Sequence, residues 1–369
     1  MSRSPRSALA TLAAVLGAGA ALLPAAARAQ DVAASRAVDA YTAMQNQLYV
    51  RHSRLYQGPH FAKVWGFSQA LAATVSVSRL PGVGARYAGD LRDRLLGLDR
   101  YWAATRQPPG YTADVQPPLG PGGHLFYDDN DWIGIELARA YPTDHLPFEL
   151  SRAEQIFTLE ASGWSNDSSL PCPGGVPWTD NPAVTQRNTI SNAPAAELGV
   201  ALYNLTHDQT YLAWAERMYG WVRGCLALGN GLYGDHIDAG GTVDTTTWTY
   251  TQGVMIGAAV MLYKATGDHS YLDQAQAVEQ AAFGYFAPNQ FADEPLFFVS
   301  ILFRNLLLYN SVQPDPRITQ LVQSYADWAA TKRKKNGLYR FADDETRLLE
   351  QAAVINIDSM LAEPASSFF

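Results

Sequence analysis

The chain has 369 residues, of which 47% are hydrophobic and only 17% charged, so a substantial buried core is expected. Its formal net charge of −8 argues against nucleic acid or an acidic membrane surface as a partner, because both attract basic proteins. Nine tryptophans and 19 tyrosines are many for this length, and aromatic rings suit flat sugar rings, although most such side chains belong to cores and their rims.

The first thirty residues have the pattern of an export signal. Two arginines precede an apolar, small-residue stretch (8–23), and Ala27-Arg28-Ala29 predicts cleavage before Gln30. The apolar stretch is shorter than the ~20 residues that a transmembrane helix needs, so no membrane span is expected. We therefore predict a signal peptide over 1–29, a single domain over 30–369, and a periplasmic or extracellular location.

Apolar residues recur at helical spacing along the rest of the chain, and the alternation typical of strands is scarce. The spacing predicts helices within 61–80, 87–105, 132–141, 195–203, 254–263, 297–310 and 318–332. Proline and glycine are concentrated at 108–123 and 170–182, which predicts long surface loops there.

Two segments sixty residues apart repeat each other. Residues 202–212 and 262–272 are identical at six positions, and in each copy an apolar helix ends in a short turn before Asp208 or Asp268 caps a second helix. About six such pairs fit the chain that remains after cleavage. They could form an open solenoid or a closed ring; without a polar capping repeat we expect a ring, with the loops inside each pair gathered at one mouth where a site can form.

Cys172 and Cys225 are the two cysteines of the chain. In an exported protein they are expected to form a disulfide, with two buried thiols as the alternative. No Cys/His cluster has zinc spacing, so neither a metal nor another cofactor is expected.

Three carboxylates within four positions precede an apolar helix, at Asp128, Asp129 and Asp131. An aspartate at a helix start is often only a cap. We expect Asp131 to do no more than that, so that Asp131→Asn should cost on the order of 1 kcal/mol. A calcium loop is excluded because Ile133 and Ala140 occupy positions that need oxygen ligands.

Two neighbouring carboxylates are also the chemistry of a retaining glycosidase. Such an enzyme needs one carboxylate as nucleophile and another, about 5–5.5 Å away, as acid/base. Charges this close repel each other, which raises one pKa and keeps that group protonated near neutrality. Asp128 and Asp129 are therefore the candidate catalytic pair, and Tyr127 and Trp132 beside them would supply an apolar surround and a sugar platform.

Four segments together carry a family resemblance. They are Tyr127-Asp128-Asp129-Asn130-Asp131-Trp132, Arg187-Asn188-Thr189-Ile190-Ser191-Asn192-Ala193, Thr249-Tyr250-Thr251-Gln252-Gly253 and the apolar stretch around Arg304. In this order and spacing they resemble glycoside hydrolase family 76, the bacterial endo-α-1,6-mannanases and their fungal wall relatives.

The resemblance implies an all-α fold, the (α/α)6 barrel of six helical hairpins. It implies a retaining mechanism with Asp128 as nucleophile and Asp129 as acid/base, and a substrate of α-1,6-linked mannose. Departures from the family pattern lie at expected substrate contacts, which affects the specificity for mannan rather than the reaction class. They are Thr251, Val299, Ser300 and Pro177-Trp178, the last in place of an expected tryptophan pair.

Further side chains are predicted to bind the glycan. Asn188, Asn192 and Gln252 offer paired donors and acceptors that match vicinal hydroxyls. Trp178, Trp248 and Tyr250 can stack on sugar rings, and Arg304 belongs to the last resembling segment. The alternative for the amides is structural, with Asn188 capping a helix and Gln252 satisfying buried backbone.

Two acidic loops are weaker candidates. The loop 235–238 is a candidate rim element, and 343–345 is interpreted as a solvated face.

Three functions remain open. The first is a secreted endo-acting glycoside hydrolase on α-mannan; the second is a transglycosidase using the same aspartate pair; the third is a non-catalytic glycan-binding envelope protein. In each case the expected partner is a polysaccharide or oligosaccharide, and the protein is expected to be a monomer.

Overall fold

The computed structural model describes residues 25–287, 291, 294–341 and 347–363. The predicted signal peptide therefore lies outside the described residues except for 25–29, which begin the first helix. The acidic run 343–345 also lies outside them.

Helices dominate the described part of the chain. They are α1 (Ala25–Leu48), α2 (Val64–Ser78), α3 (Ala88–Leu98), α4 (Tyr127–Asp144), α5 (Pro147–Gly163), α6 (Ala193–Thr206), α7 (Gln209–Cys225), α8 (Thr249–Thr266), α9 (His269–Phe286), α10 (Leu296–Val312), α11 (Pro316–Ala330) and α12 (Arg347–Ala362). Short 3-10 turns lie at Gly84–Tyr87, Asp99–Tyr101 and Thr189–Ser191.

The described strands are two residues long and pair antiparallel. They are β1 (Tyr49–Val50) with β2 (Leu55–Tyr56), β3 (Trp102–Ala103) with β4 (Gly110–Tyr111), and β5 (Arg187–Asn188) with β6 (His236–Ile237), which also pairs with β7 (Val243–Asp244).

The helices close into a double ring. The inner ring runs α2, α4, α6, α8, α10, α12, and α12 packs back against α2. The outer helices α3, α5, α7, α9 and α11 pack behind the inner ones, and α1 packs against α12. Inner helices such as α8 are buried along most of their length, whereas α11 buries one face, as their apolar and amphipathic sequences require. This is the predicted (α/α)6 toroid.

Turns of two or three residues join the helices of four pairs, α4–α5, α6–α7, α8–α9 and α10–α11, whereas nine residues join α2 to α3. His207 follows α6 and Gly267 follows α8, both with left-handed backbone, φ 60° and 75°. The predicted caps follow directly: the Asp208 carboxylate accepts from the N–H of Thr210 at 2.9 Å, and Asp268 from that of Ser270 at 2.8 Å. Both cap predictions are confirmed.

Long connections join one pair to the next at the opposite mouth of the ring. They include 99–126, 164–192 and 226–248, and each leads into the N-terminus of an inner helix. Asp128 and Asp129 follow the first of them. The expectation that loops inside each pair form the site is therefore wrong, because turns of about two residues leave no chain to build one.

A disulfide bond joins Cys172 to Cys225, with Cα atoms 5.9 Å apart. It ties the 164–192 connection to the end of α7, so this expectation is confirmed. In the part of the chain that the structure describes, no helix has both the length and the apolar character needed to cross a membrane.

Candidate active site

Asp128 lies in the first turn of α4 and remains partly exposed at the mouth of the ring. Burial raises its pKa to about 7, and the nearby charge of Asp235 acts in the same direction. Hydrogen bonds from the backbone N–H of Asp129 and the Trp178 side chain oppose this shift. Both donors stabilise the ionised form, so Asp128 is the more readily ionised member of the pair.

Asp129, its neighbour, is 8% exposed. Burial and then the charge of Asp128 hold the pKa of Asp129 well above its usual range, and no donor offsets them. The two adjacent carboxyls therefore differ in environment: hydrogen bonds favour the charged form of Asp128, whereas burial and the neighbouring charge favour the protonated form of Asp129.

Aromatic rings wall the mouth around this pair. Trp178 is 36% exposed and packs on Phe126 at 4.8 Å between ring centroids. On another side Tyr250 stacks on Phe298 at 3.8 Å, and Trp248 meets the same ring at 5.7 Å. Burial and the charge of Asp128 raise the pKa of Tyr250, which places that phenol beside the acid pair. Apolar walls with polar edges suit a sugar ring.

Two predicted substrate-binding amides prove to be structural. The Asn192 side chain accepts from the N–H of Val176 at 2.9 Å and donates to its carbonyl at 3.1 Å. Gln252 makes the same pair of bonds with Tyr233, at 2.9 and 3.0 Å. Both side chains are fully buried, so they cannot reach a ligand and the prediction of direct contact is wrong for them.

The same pair of hydrogen bonds, from one side-chain amide to the N–H and carbonyl of one residue, recurs around the ring. Asn130 bonds the N–H and carbonyl of Tyr111, and Gln351 those of Tyr339. We call these bonds of Asn130, Asn192, Gln252 and Gln351 the amide clamps. Each fixes a connection against the start of an inner helix.

Asn188 differs from the clamped amides. Its backbone pairs with His236 in the three-stranded sheet, and its side-chain oxygen has no hydrogen-bond partner among the described residues. Asn188 therefore remains a candidate for substrate contact.

Two other predicted contacts have partners inside the protein. Tyr127 is buried with its ring against Gly163 of α5. Arg304 donates to Glu136 at 2.7 Å in the interior of the ring. Direct substrate binding by Tyr127 and Arg304 is therefore corrected to a packing and an ion-pair role. Trp132 is 5% exposed and packs on Trp65, but its indole nitrogen has no hydrogen-bond partner among the described residues, so its contact with substrate stays a prediction.

Trp132 and Arg304 line a small cavity inside the ring, together with Glu136, Glu197 and Asn305. Its volume of about 20 Å³ has room for a water molecule, which needs ~10–15 Å³ on this measure. The cavity is too small for a sugar.

Three of the residues that depart from the family pattern also lie inside, whereas Trp178 is exposed at the mouth. Thr251 and Val299 are fully buried, and Ser300 is 3% exposed and lines the cavity. They were expected at substrate contacts, and that expectation is wrong because none of them reaches the mouth.

Asp131 is not a helix cap. Its side chain is fully buried, and neither oxygen has a hydrogen-bond partner among the described residues. The small stability cost expected for Asp131→Asn assumed that Asp131 caps the helix, and the structure removes that assumption.

The structure brings Asp235 to the site, a residue that the sequence marked only as part of a weak rim element. Its carbonyl accepts from the N–H of Thr189 at 2.9 Å, and its carboxylate meets the His236 ring at 2.7 Å. Asp235 stands two residues after Tyr233, as Trp178 stands two after Val176, but the bonds that fix Tyr233 and Val176 are visible only in the structure. Among the described residues, no group of three acidic, histidine or cysteine side chains could hold a metal ion.

The fold and the site together define a class of protein. Its members have the (α/α)6 fold and carry two neighbouring carboxyls, in different environments, at a mouth of the ring that is lined by aromatic side chains. The chain belongs to glycosyl hydrolase family 76, whose sequence profile matches residues 25–364. Mannan endo-1,6-alpha-mannosidase DCW1 of Saccharomyces cerevisiae is 34% identical over 155 residues, 38% of this chain and 34% of that protein. The match thus spans about a third of that relative's length.

Solved structures share the fold. The family 76 mannosidase Bt3792 from Bacteroides thetaiotaomicron superposes with a TM-score of 0.80 at 23% identity, covering 90% of this chain and 98% of that one. An alpha-1,6-mannanase of Salegentibacter gives a TM-score of 0.71 at 19% identity over 89% of this chain and 99% of its own. That structure is an inactive variant, with two consecutive aspartates changed to alanine, in complex with alpha-1,6-mannotetrose.

Proposed function

We propose that this protein is a retaining glycoside hydrolase that cleaves α-1,6-linked mannan within the chain. The observation that carries the proposal is the adjacent pair Asp128 and Asp129 in unlike environments at an aromatic-walled mouth. The hydrogen bonds to Asp128 favour its ionised form, and the surroundings of Asp129 favour its protonated form, which is the division of roles that a retaining mechanism needs.

The reaction proceeds in two displacements. A carboxylate oxygen of Asp128 bonds to the anomeric carbon while the glycosidic bond breaks and the Asp129 proton passes to the leaving oxygen. This gives a glycosyl ester on Asp128. Asp129, now ionised, takes a proton from water as that water attacks the anomeric carbon, which frees Asp128 and restores the proton of Asp129.

The relatives support the choice of substrate. The yeast protein is described as a mannan endo-1,6-alpha-mannosidase, and the Salegentibacter enzyme as an alpha-1,6-mannanase. Loss of two consecutive aspartates accompanies inactivity in the latter, which fits a catalytic Asp128–Asp129 pair here. Trp178, Trp248 and Tyr250 would stack on the mannose units, and Asn188 would bond a hydroxyl. Export through the predicted signal peptide would bring the enzyme to such a polymer.

Replacing each aspartate by asparagine tests the assignment. Asp128→Asn and Asp129→Asn should each lower kcat on α-1,6-mannan by orders of magnitude, with melting temperatures close to the native value. Initial rates and thermal unfolding of the three proteins measure this.

A mannoside with a good leaving group separates the two roles. It needs no acid in the first step, so it should partly restore the Asp129→Asn variant but not Asp128→Asn. Near-native activity of both variants would contradict the assignment. Products joined to an added acceptor glycan would identify a transglycosidase, and binding without turnover by the native protein would identify a glycan-binding protein.

A further inference from the structure

Behind the catalytic pair lie three carboxyls that the proposed mechanism does not use. Asp131 on α4 and Glu160 on α5 are fully buried, and Glu197 on α6 is 2% exposed. Neither oxygen of Asp131 or Glu160 has a hydrogen-bond partner among the described residues. These groups interact with one another and with Asp128.

The charged groups around Asp131 are all acidic. Asp128 on the same helix and Glu197 on α6 interact electrostatically with Asp131. Glu160 of α5 interacts in the same way with both Asp131 and Asp128. In the described part of the chain, Arg304 pairs with Glu136 and acts on Glu197, and it is not among the charges that act on Asp131. A buried carboxylate without a cation or donors costs several kcal/mol, so the neutral acid is the stable form.

One carboxyl oxygen of Asp128 is available to accept a hydrogen bond. Its Oδ1 atom is buried and has no hydrogen-bond partner among the described residues, although Trp178 donates to the carboxylate. Asp131 follows Asp128 by three residues in α4, a spacing that places two side chains on one helix face. A protonated carboxyl is a hydrogen-bond donor, whereas a carboxylate is not.

We propose that Asp131 is a positioning residue that keeps its proton and donates a hydrogen bond to the buried oxygen of Asp128, with Glu160 also neutral behind it. The donor holds the nucleophile in one orientation and stabilises its single negative charge. A second carboxylate at this place would instead repel that charge. The pH-profile part of this inference rests on the proposed glycosidase function; the spectroscopic part does not.

Infrared difference spectroscopy tests the protonation directly. The spectrum of the native protein minus that of Asp131→Asn at pH 7 should show one carbonyl band of a protonated carboxylic acid. Asp208→Asn, which removes an exposed cap carboxylate, is the control and should instead remove carboxylate bands. Carboxylate bands in the Asp131 difference spectrum would overturn the proposal whether or not the protein is a hydrolase.

The pH profile of kcat/KM tests the hydrogen bond. Asparagine retains a donor, so Asp131→Asn should keep the acid limb, which reports ionisation of Asp128, near its native position. Asp131→Leu has a similar shape without the donor and should move that limb upward by about one pH unit, the effect of losing one hydrogen bond to a charged group.

A downward shift of the limb in Asp131→Asn would show that a negative charge had been removed, and would overturn the proposal. The direction of the shift in Asp131→Asn therefore tests the proposal even if Asp131→Leu does not fold.

Discussion

The amide clamps show how a single side chain can fix the position of the chain segments that form the mouth of the ring. Gln252 satisfies both backbone groups of Tyr233 and also donates to the carbonyl of Trp248 at 3.3 Å. Tyr233 lies two residues before Asp235, and Trp248 immediately precedes α8. One buried amide therefore holds in place the chain that presents an acid and an aromatic ring to the site.

Gln252→Ala should lower the free energy of unfolding by about 2–3 kcal/mol, because it strands a buried N–H and a buried carbonyl. Urea unfolding of the two proteins measures the loss. Gln209→Ala is the matched control: its amide donates only to the exposed Tyr203 hydroxyl at 3.3 Å, and its removal should change stability by less than about 0.5 kcal/mol. Equal stability of Gln252→Ala and the native protein would contradict a structural role.

At the level of elements, neighbouring inner helices approach each other most closely where a side chain is absent. A Cβ atom at Gly253 of α8 would lie 2.7 Å from the Cα of Leu302 in α10, a contact with backbone that no rotamer change relieves. This glycine therefore sets the distance between α8 and α10, and through it the position of Tyr250 against Phe298.

Gly253→Ala should destabilise the protein by about 1–3 kcal/mol by forcing these helices apart. Gly284→Ala is the opposite case within α9, since nothing lies within 4 Å of a Cβ atom there. It should stabilise by about 0.5–1 kcal/mol through helix propensity alone. Thermal unfolding of both variants compares the two effects, and a neutral Gly253→Ala would show that the helices are not in limiting contact.

Across the whole molecule, burial raises the pKa of several carboxyls of the described helices. It raises the pKa of Glu197 to about 8 and that of Asp358 to about 7, although Arg36 pairs with Asp358 at 2.8 Å, in addition to the groups beside the active site. Glu136 is the exception, since Arg139 and Arg304 hold its pKa below the usual range. A carboxyl that stays neutral in such a place avoids the desolvation cost of a buried carboxylate.

The pH dependence of stability follows from these raised pKa values. Unfolded carboxyls ionise near pH 4, so the folded protein binds more protons between pH 4 and about 8. The contribution of these carboxyls to the free energy of unfolding is fully present at the acidic end of this pH range. It is lost as the pH rises, by up to about 1.4 kcal/mol per pH unit for each group. The melting temperature should therefore fall from pH 5 to pH 8. In the Glu197→Gln variant the melting temperature should fall less steeply over this range. A native melting temperature that rises from pH 5 to pH 8 would refute the prediction.

The sequence by itself determined the repeating helical architecture and the location of the acid pair. The sixty-residue repeat, the Asp208 and Asp268 caps and the apolar inner helices depend on contacts within a few turns of chain, which periodicity and capping rules read directly. Cys172 and Cys225 were an expected pair for their compartment, and the Asp128–Asp129 segment carried its own family resemblance.

The tertiary structure alone decided which polar residues face the mouth. Asn192 and Gln252 have the right chemistry for a sugar, yet packing turns both towards the backbone of a connection more than ten residues away. Asp131 has the right position for a cap, yet burial against α5 and α6 leaves it among acids. Asp235 acts on Asp128 only because the packing of α4, α6 and α8 brings distant segments of the chain together. Exposure, desolvation and contacts between distant segments arise from the closed ring, and local sequence patterns do not encode them.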